Sequence, residues 1–289
     1  MGRWVMSASD LRTPMLSSPV RRKLVHGGLI AIALLYVGAL VLAPLIGIAW
    51  AAINAGWDTW RATLSDPDAV HAYYLTGFIT VITVAVTGVF GLIVAKVLAR
   101  DHFWGKSIMS AVVNLPFAVS PIIVGLMAVL LFGRGGWFEP WFSAHGIQVL
   151  FAVPSMVVVT IFICIPFVIR EVAPVLQELG TQEEEASKTL GGSSWTTFRR
   201  ITLPNIRWGL LYGIALSAAR SIGEVGAVLV VSGSITGKTE TAPLLILREF
   251  DQSHDPAAYI VALTLALASI VLLSGIEILK HRYERKRST

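Results

Sequence analysis

The stretch VLFAVPSMVVVTIFICIPFVI, residues 149–169, decides the fold because it carries no charged residue over a length that can cross a membrane. A helix needs about 20 predominantly apolar residues to span the hydrocarbon core of a bilayer. Five further stretches are long and apolar enough, at residues 27–53, 75–98, 108–132, 209–231 and 257–279. The sequence therefore predicts an all-α integral membrane protein with six transmembrane helices.

The composition of the whole chain agrees with this prediction. Of 289 residues, 55% are apolar and only 14% are charged, and the mean hydropathy is +0.70. Soluble domains carry roughly 25% charged residues, so a soluble, disordered or coiled-coil protein is excluded. The single cysteine, Cys164, excludes an intrachain disulfide, and the chain has no zinc-binding spacing of Cys and His.

The distribution of basic residues predicts the topology. Eighteen of the 23 Lys and Arg residues fall in the two tails and in the second-to-third and fourth-to-fifth connections, and such an excess marks the cytoplasmic side. We therefore expect a multi-pass protein of the cell (inner) membrane, in contact with lipid, with both termini cytoplasmic. The segments are an N-terminal tail at 1–26, a six-helix membrane domain at 27–279 with a cytoplasmic loop at 170–208, and a C-terminal tail at 280–289. The net charge of +5 is then an orientation signal, and no nucleic-acid partner is expected.

The loop at 170–208 contains signals for two short helices. Thr181 and Glu184 have the spacing of a capping box, and Gly191 followed by another glycine predicts the end of the first helix. A serine at 193 or 194 caps the second helix, which Pro204 is expected to stop.

The same loop resembles the "EAA" loop of binding-protein-dependent ABC importer permeases. The matching residues are Glu185-Ala186-Ser187, then Gly191 after three residues, then Ile201-Thr202-Leu203-Pro204 after nine more, with Ser187 where alanine is usual. The resemblance implies the type I importer (MetI-like) fold and a coupling helix that docks on separate cytoplasmic ATP-binding subunits. The residues implied in ATPase coupling are Glu184, Glu185, Ala186, Gly191, Ile201, Leu203 and Pro204. The alternative is an ordinary cytosolic loop.

Polar residues inside the predicted spans are candidates for a translocation path, because charges in a membrane are costly. Arg220 and Glu224 are four residues apart and could pair, beside a stripe of small residues at 209, 213, 217 and 221. A structural ion pair is the alternative. Four threonines of the second span, at 76, 80, 83 and 87, favour packing over lining, and Pro116 and Pro121 predict a broken or kinked third span.

The segment 233–239, GSITGKT, is similar to a phosphate-binding loop. It has three residues between its glycines, however, whereas the P-loop needs four. We therefore predict no nucleotide site, no catalytic or metal-binding residue and no cofactor in this chain. The chain is expected not to be an enzyme itself, and ATP with Mg²⁺ would be bound by the partner ATPase.

Residues 115–121, 215–227 and 230–239 resemble the sulfate and molybdate permeases, although Val225 stands where phenylalanine is expected. Residues 202–208 and 249–251 are similar to the second permease subunit of sulfate/thiosulfate systems. The resemblance implies an importer of sulfate or thiosulfate, a homologous but non-identical second permease and an extracytoplasmic sulfate-binding protein. Candidate residues for the anion path are Ser217, Arg220, Ser221, Glu224, Ser232 and Ser234. The alternatives are a molybdate or tungstate importer and, more distantly, an ion-coupled secondary transporter, which would predict inverted repeats.

Overall fold

The computed structural model describes residues 19–287, with side chains described for 27–280. Within this range the chain is all-α, as predicted. Its helices are α1 Pro19–Asn54, α2 Trp57–Ser65, α3 Pro67–Arg100, α4 Lys106–Ala118, α5 Pro121–Phe132, α6 Glu139–Ala144, α7 Val153–Leu179, α8 Gln182–Thr189, α9 Ser194–Thr197, α10 Leu203–Ile222, α11 Gly226–Ser232, α12 Ala242–Asp251 and α13 Asp255–Arg287. A π-helical turn, Phe198–Thr202, joins α9 to α10.

The chain divides into two units, one up to Trp50 and the other from Ala51 onward. The described part of the first unit belongs to α1, whose stretch Gly27–Asn54 is apolar and long enough to cross a membrane. The helices α3, α7 and α13 of the second unit meet the same criterion. Two bent helix pairs bring the number of spans in the described range to six if each pair is one span, which agrees with the prediction.

The third predicted span is broken into two helices, which confirms the break or kink that its prolines predict. The helices α4 and α5 meet at an angle of 112°. Ser120 has φ −61° and ψ 138°, the extended conformation that proline imposes on the residue before it, and Pro121 opens the new helix. The fifth span is also broken, since α10 and α11 meet at 55°.

The helix boundaries differ from the predicted segments at the membrane ends. Helix α7 continues to Leu179, so the first ten residues of the predicted loop at 170–208 are helical. Hydropathy cannot locate that end, because a helix can extend beyond the bilayer, and its polar residues there no longer count toward the apolar run. Helix α1 starts inside the predicted N-terminal tail, and α13 runs through most of the predicted C-terminal tail. The rest of those tails, residues 1–18 and 288–289, lies outside the described residues.

The core of the second unit forms where α3, α7 and α10 pack together. Glycines allow close approach, since a Cβ at Gly91 of α3 would lie 2.8 Å from the Val168 Cβ and a Cβ at Gly213 of α10 would lie 2.9 Å from the Val168 Cα. Small residues at such crossings are typical of membrane helices, which associate through tight packing. The predicted small-residue stripe of α10 thus packs inside the same chain, with Gly209 and Gly213 against α7 and Ser221 against α3.

Candidate functional site: the α8 segment and the buried ion pair

Helix α8 is the predicted coupling helix, and its C-terminal end depends on glycine. Gly191 has φ +80° with no heavy atom within 4 Å of the position of a Cβ, and its N–H donates to the carbonyl oxygen of Lys188 at 3.0 Å. The left-handed conformation is one that glycine adopts without strain. The adjacent Leu190 is 88% exposed. The prediction that the helix ends at the glycine pair is therefore confirmed.

Ser187, the residue that departs from the "EAA" pattern, joins α8 to α9. Its Oγ lies 2.8 Å from the Thr197 Oγ1, and its carbonyl oxygen accepts a hydrogen bond from the Gly192 N–H at 2.8 Å. A Cβ at Gly192 would collide with the Ser187 hydroxyl and lie 2.8 Å from the Ser187 carbonyl oxygen. The serine thus adds a bond that alanine could not make.

Glu184 does not act as the third residue of a capping box, so that prediction is wrong. Thr181 makes no side-chain cap hydrogen bond. Glu184 Oε1 instead lies 3.2 Å from Nη2 of Arg100 and accepts a hydrogen bond from the Thr202 Oγ1 at 3.0 Å. Both members of the ion pair are mostly buried, with 11% of the Arg100 side chain and 15% of the Glu184 side chain exposed. This pair connects α8 to the end of α3. The Glu184 carboxylate points to Arg100 and therefore does not cap the start of α8.

The other two glutamates of the first turn of α8 differ from each other. Glu183 Oε2 accepts a hydrogen bond from the Asn205 Nδ2 at 2.8 Å. Glu185 and Ala186 are exposed, and within the described residues the Glu185 carboxylate forms no ion pair. Glu183 and Glu184 therefore hold α8 against the protein body, whereas Glu185 faces outward.

The second half of the "EAA" pattern forms the entry to α10. The predicted stop at Pro204 is wrong, because helical structure continues from Ser194 to Ile222. The Leu203 N–H donates to the Phe198 carbonyl oxygen in the π-helical turn, and proline is tolerated in the first turn of a helix, where its missing N–H costs no bond. Ile201 lines a small space beside Arg100 and Glu184. The predicted cap of the second helix is confirmed, since the Thr196 N–H donates to the Ser193 Oγ.

Three of the serines assigned to the anion path are buried inside the chain. The Ser217 Oγ donates to the Cys164 carbonyl oxygen at 3.2 Å, and the Ser221 Oγ lies 3.1 Å from the Thr80 Oγ1. The Ser232 Oγ accepts the Ser234 N–H at 3.0 Å. Each of these three hydroxyls thus makes a contact within the chain, and the role of these serines in the path stays a prediction. Ser234 is exposed, and its role in the path stays a prediction.

The predicted pair of Arg220 and Glu224 is present at the break of the fifth span. Arg220 Nη2 lies 2.7 Å from Glu224 Oε2, with 32% of the arginine side chain and 1% of the glutamate side chain exposed. The two residues do not share one helix, since α10 ends at Ile222. Glu224 Oε1 also accepts the Ala227 N–H at 2.9 Å, so the carboxylate bridges the ends of α10 and α11. Arg220 remains the partly exposed member of the pair.

The threonines of α3 pack within the chain, as the sequence analysis favoured over lining of a path. Thr83 and Thr87 are fully buried. The Thr76 Oγ1 donates to the Ala72 carbonyl oxygen and accepts the Ala242 N–H at 2.9 Å. The hydroxyl of Thr76 thereby fixes the start of α12 against α3.

A cluster of charges around Arg248 fixes the loop between α11 and α12. Its guanidinium lies 3.4 Å from Glu240, 3.2 Å from Glu249 and 3.9 Å from Asp68. Burial raises the pKa of the Glu240 carboxyl, with smaller opposing and reinforcing effects of Arg248 and of the two other carboxylates. The false phosphate-binding loop lies in this segment and follows helix α11, whereas a P-loop follows a strand.

Sequence reasoning missed Arg100 and Thr202 as the partners of Glu184. Arg100 is 84 residues away in the chain, so no local spacing connects the two side chains. The sequence marked Arg100 only as one of the basic residues that follow the predicted second span. It indicated topology rather than a specific contact.

Comparison with known proteins gives consistent results. Residues 87–285 match the family model described as "Binding-protein-dependent transport system inner membrane component". The "Sulfate transport system permease protein CysW" of Synechocystis sp. is 47% identical over 88% of this chain and 92% of its own length, and the Escherichia coli K12 protein of the same name is 42% identical over 89% of each chain. The E. coli K12 protein CysT, also named a sulfate permease, is 36% identical over 88% of this chain and 92% of its own length.

Solved structures match at the level of the fold. The crystal structure of a bacterial ABC transporter involved in the import of the acidic polysaccharide alginate has a TM-score of 0.75 at 15% identity. The match covers 91% of this chain and 97% of that chain.

Proposed function

The chain belongs to the family of binding-protein-dependent transport system inner membrane components, and from this membership we propose that it is a permease subunit of an ATP-driven importer of sulfate or thiosulfate. The observation that carries the proposal is 47% identity over 88% of the chain to a protein named a sulfate transport permease. Its role would be to form part of the anion path and to transmit conformational change, while other subunits bind ATP.

The energy of ATP hydrolysis would reach this subunit as a movement of α8, driven by the ATPase. The outward-facing Glu185 and Ala186, the exposed Leu190 and the turn at Gly191 form a compact projection, whose carboxylate can pair with a basic residue of the ATPase. Glu184 positions this projection through Arg100, and Ile201, Leu203 and Pro204 pass its movement into α10. In this proposal, ATP with Mg²⁺ binds to the ATPase subunits and not to this chain.

The proposed assembly contains a second, homologous permease, two ATP-binding subunits and an extracytoplasmic sulfate-binding protein. Two observations support it. The chain is similar to sulfate permeases of both the CysW and the CysT name, and one structurally similar transporter was crystallised with its periplasmic protein. The basic-residue distribution supports a topology in which both termini and α8 are cytoplasmic.

The proposal is tested by reconstituting the complete importer in proteoliposomes with ATP at the ATPase side and the binding protein at the other. We expect ATP-dependent uptake of radiolabelled sulfate, competed by thiosulfate and much less by molybdate. An importer with a hydrolysis-deficient ATPase is the control. Uptake of molybdate with no uptake of sulfate would assign the chain to a molybdate importer, and uphill transport without an ATPase subunit would refute ATP-driven import.

A further inference from the structure

A polar groove lies between α4 and α7, with a volume of about 610 Å³. Its polar lining comes from both helices: Lys106, Ser107, Ser110 and Asn114 from α4, and Arg170 and Gln177 from α7. These residues lie at the end of α7 that leads to α8, since α7 ends at Leu179 and α8 begins at Gln182. The groove therefore shares an end of the protein with the projection proposed to contact the ATPase.

The charged residues that line the groove are all positive. Its lining contains two cations, Lys106 and Arg170, and no carboxylate. Within the described part of the chain neither cation forms an ion pair, whereas Arg100, Arg220 and Arg248 all have a carboxylate oxygen within 4 Å. The Lys106 ammonium donates one hydrogen bond, to the Asp101 carbonyl oxygen at 3.0 Å, and keeps further donors. The groove thus offers positive charge that the protein does not neutralise.

The Arg170 guanidinium is held in place by aromatic rings. It lies 4.8 Å from the centre of the Phe117 ring, and that ring packs edge-on against Phe167 at 5.2 Å. Stacking on a ring face orients a guanidinium while leaving its N–H edges free for hydrogen bonds. Phe117 is the last residue but one of α4, directly before the 112° bend. The broken span therefore sets the position of this arginine.

Unpaired cations beside serine and asparagine side chains are suited to a tetrahedral oxyanion. Such an anion is stabilised by charge-assisted hydrogen bonds from Arg and Lys and by neutral hydroxyl and amide donors. Resting on the proposed function, we propose that the α4–α7 groove is an oxyanion-binding subsite, at which the transported tetrahedral anion is held on the predicted cytoplasmic side before release. Ser217, Ser221 and Ser232 would then support the helix packing around the path rather than contact the anion.

The test measures equilibrium binding of radiolabelled sulfate to the complete importer, without nucleotide and without binding protein, in neutral-lipid nanodiscs. We expect saturable binding by the unmodified importer, at least tenfold weaker binding by Arg170→Gln and Lys106→Gln, and intermediate binding by the charge-conserving Arg170→Lys. Arg61→Gln is the matched control, because Arg61 is an exposed arginine of α2 outside the groove. Correct folding of each variant is checked by unchanged ATPase stimulation or by an unchanged melting temperature.

The outcomes separate this inference from the proposed function. Sulfate binding and uptake by both groove variants equal to those of Arg61→Gln would overturn the subsite and leave the sulfate importer standing. Failure of the unmodified importer to transport sulfate would instead refute the proposed function. A lipid headgroup phosphate is the other source of the same chemistry. In a parallel preparation in phosphatidylglycerol-containing nanodiscs, loss of bound phosphatidylglycerol by Arg170→Gln, with sulfate binding in neutral lipid unchanged, would show a lipid site and overturn the proposal.

Discussion

Removing the Glu184 carboxylate tests the claim that α8 is positioned from within the chain. Glu184→Ala deletes the ion pair to Arg100 at 3.2 Å and the hydrogen bond from Thr202 at 3.0 Å. Glu185→Ala is the matched control, because it removes the same charge from the same helical turn, and its carboxylate has no ion-pair partner among the described residues. The favourable interaction of a first-turn carboxylate with the helix dipole is lost in both variants.

The expected magnitude follows from the burial of the pair. A hydrogen bond to a charged group contributes roughly 1.5–3 kcal/mol, and breaking a fully buried pair costs roughly 3–5 kcal/mol. Because 11% of Arg100 and 15% of Glu184 remain exposed, we expect the lower range, about 2 kcal/mol. At about 1.4 kcal/mol per tenfold change, the opening constant of α8 should rise by about 30-fold.

The assay is amide hydrogen exchange of α8 in nanodiscs containing the permease without its ATPase subunits. Exchange of α8 amides should be about 30-fold faster in Glu184→Ala than in Glu185→Ala. In an Arg100→Ala background, Glu184→Ala should have a smaller effect, because the shared ion pair is already lost. Equal exchange rates in the two glutamate variants, or strictly additive effects of Glu184 and Arg100, would refute this role of the pair.

Three further predictions concern other parts of the chain. Gly125→Ala should lower the melting temperature, because its Cβ would lie 2.7 Å from the Val230 Cβ, whereas Gly77→Ala, with open space around it, should leave it unchanged or slightly raised; the reverse order would contradict the proposed close approach of α5 and α11. Glu240→Gln should flatten the pH dependence of the melting temperature in the pH range above the ordinary carboxyl pKa of 4.5. The raised pKa of Glu240 means that the folded state binds a proton more tightly than the unfolded state, so stability falls as pH rises through this window; an unchanged slope would contradict it. Gly191→Val should strain the turn by about 1–2 kcal/mol and reduce ATPase co-purification at least fivefold, and full retention of the ATPase would count against docking at this turn.

Local sequence signals predicted α8 well and its attachment poorly. The glycine pair after an acidic helical turn determines where the helix ends within a few residues of chain, and the structure ends α8 there. The partner of Glu184 is set by the packing of α3 beside α8, which no short spacing contains. Pro204 was misread for a related reason: a proline ends a helix in its interior but is accepted in a first turn, and the π-helical turn before it is a property of the folded chain.

For the membrane helices too, local signals predicted the elements but not their contacts. Hydropathy located the spans of the described residues, which number six if each bent pair counts as one, because the length of an apolar run is what a bilayer requires. The prolines predicted a break in the third span, but its angle depends on how α5 packs against α11. Small polar residues on a membrane helix suit both a helix contact and a polar path, so the sequence could not tell that Ser217 and Ser221 face α7 and α3. Their polarity suggested a path, whereas their hydrogen bonds lie inside the bundle.

The most direct test of the central claim is site-specific photocrosslinking from the tip of α8. Leu190→Cys, labelled with a photoreactive maleimide in the assembled importer, provides an exposed attachment point, while the native Cys164 is buried. We predict a covalent adduct with the ATP-hydrolysing subunit whose yield changes when ATP is bound. Sulfate uptake by an importer in which this position never crosslinks to the ATPase would contradict the claim that α8 receives the energy of ATP hydrolysis.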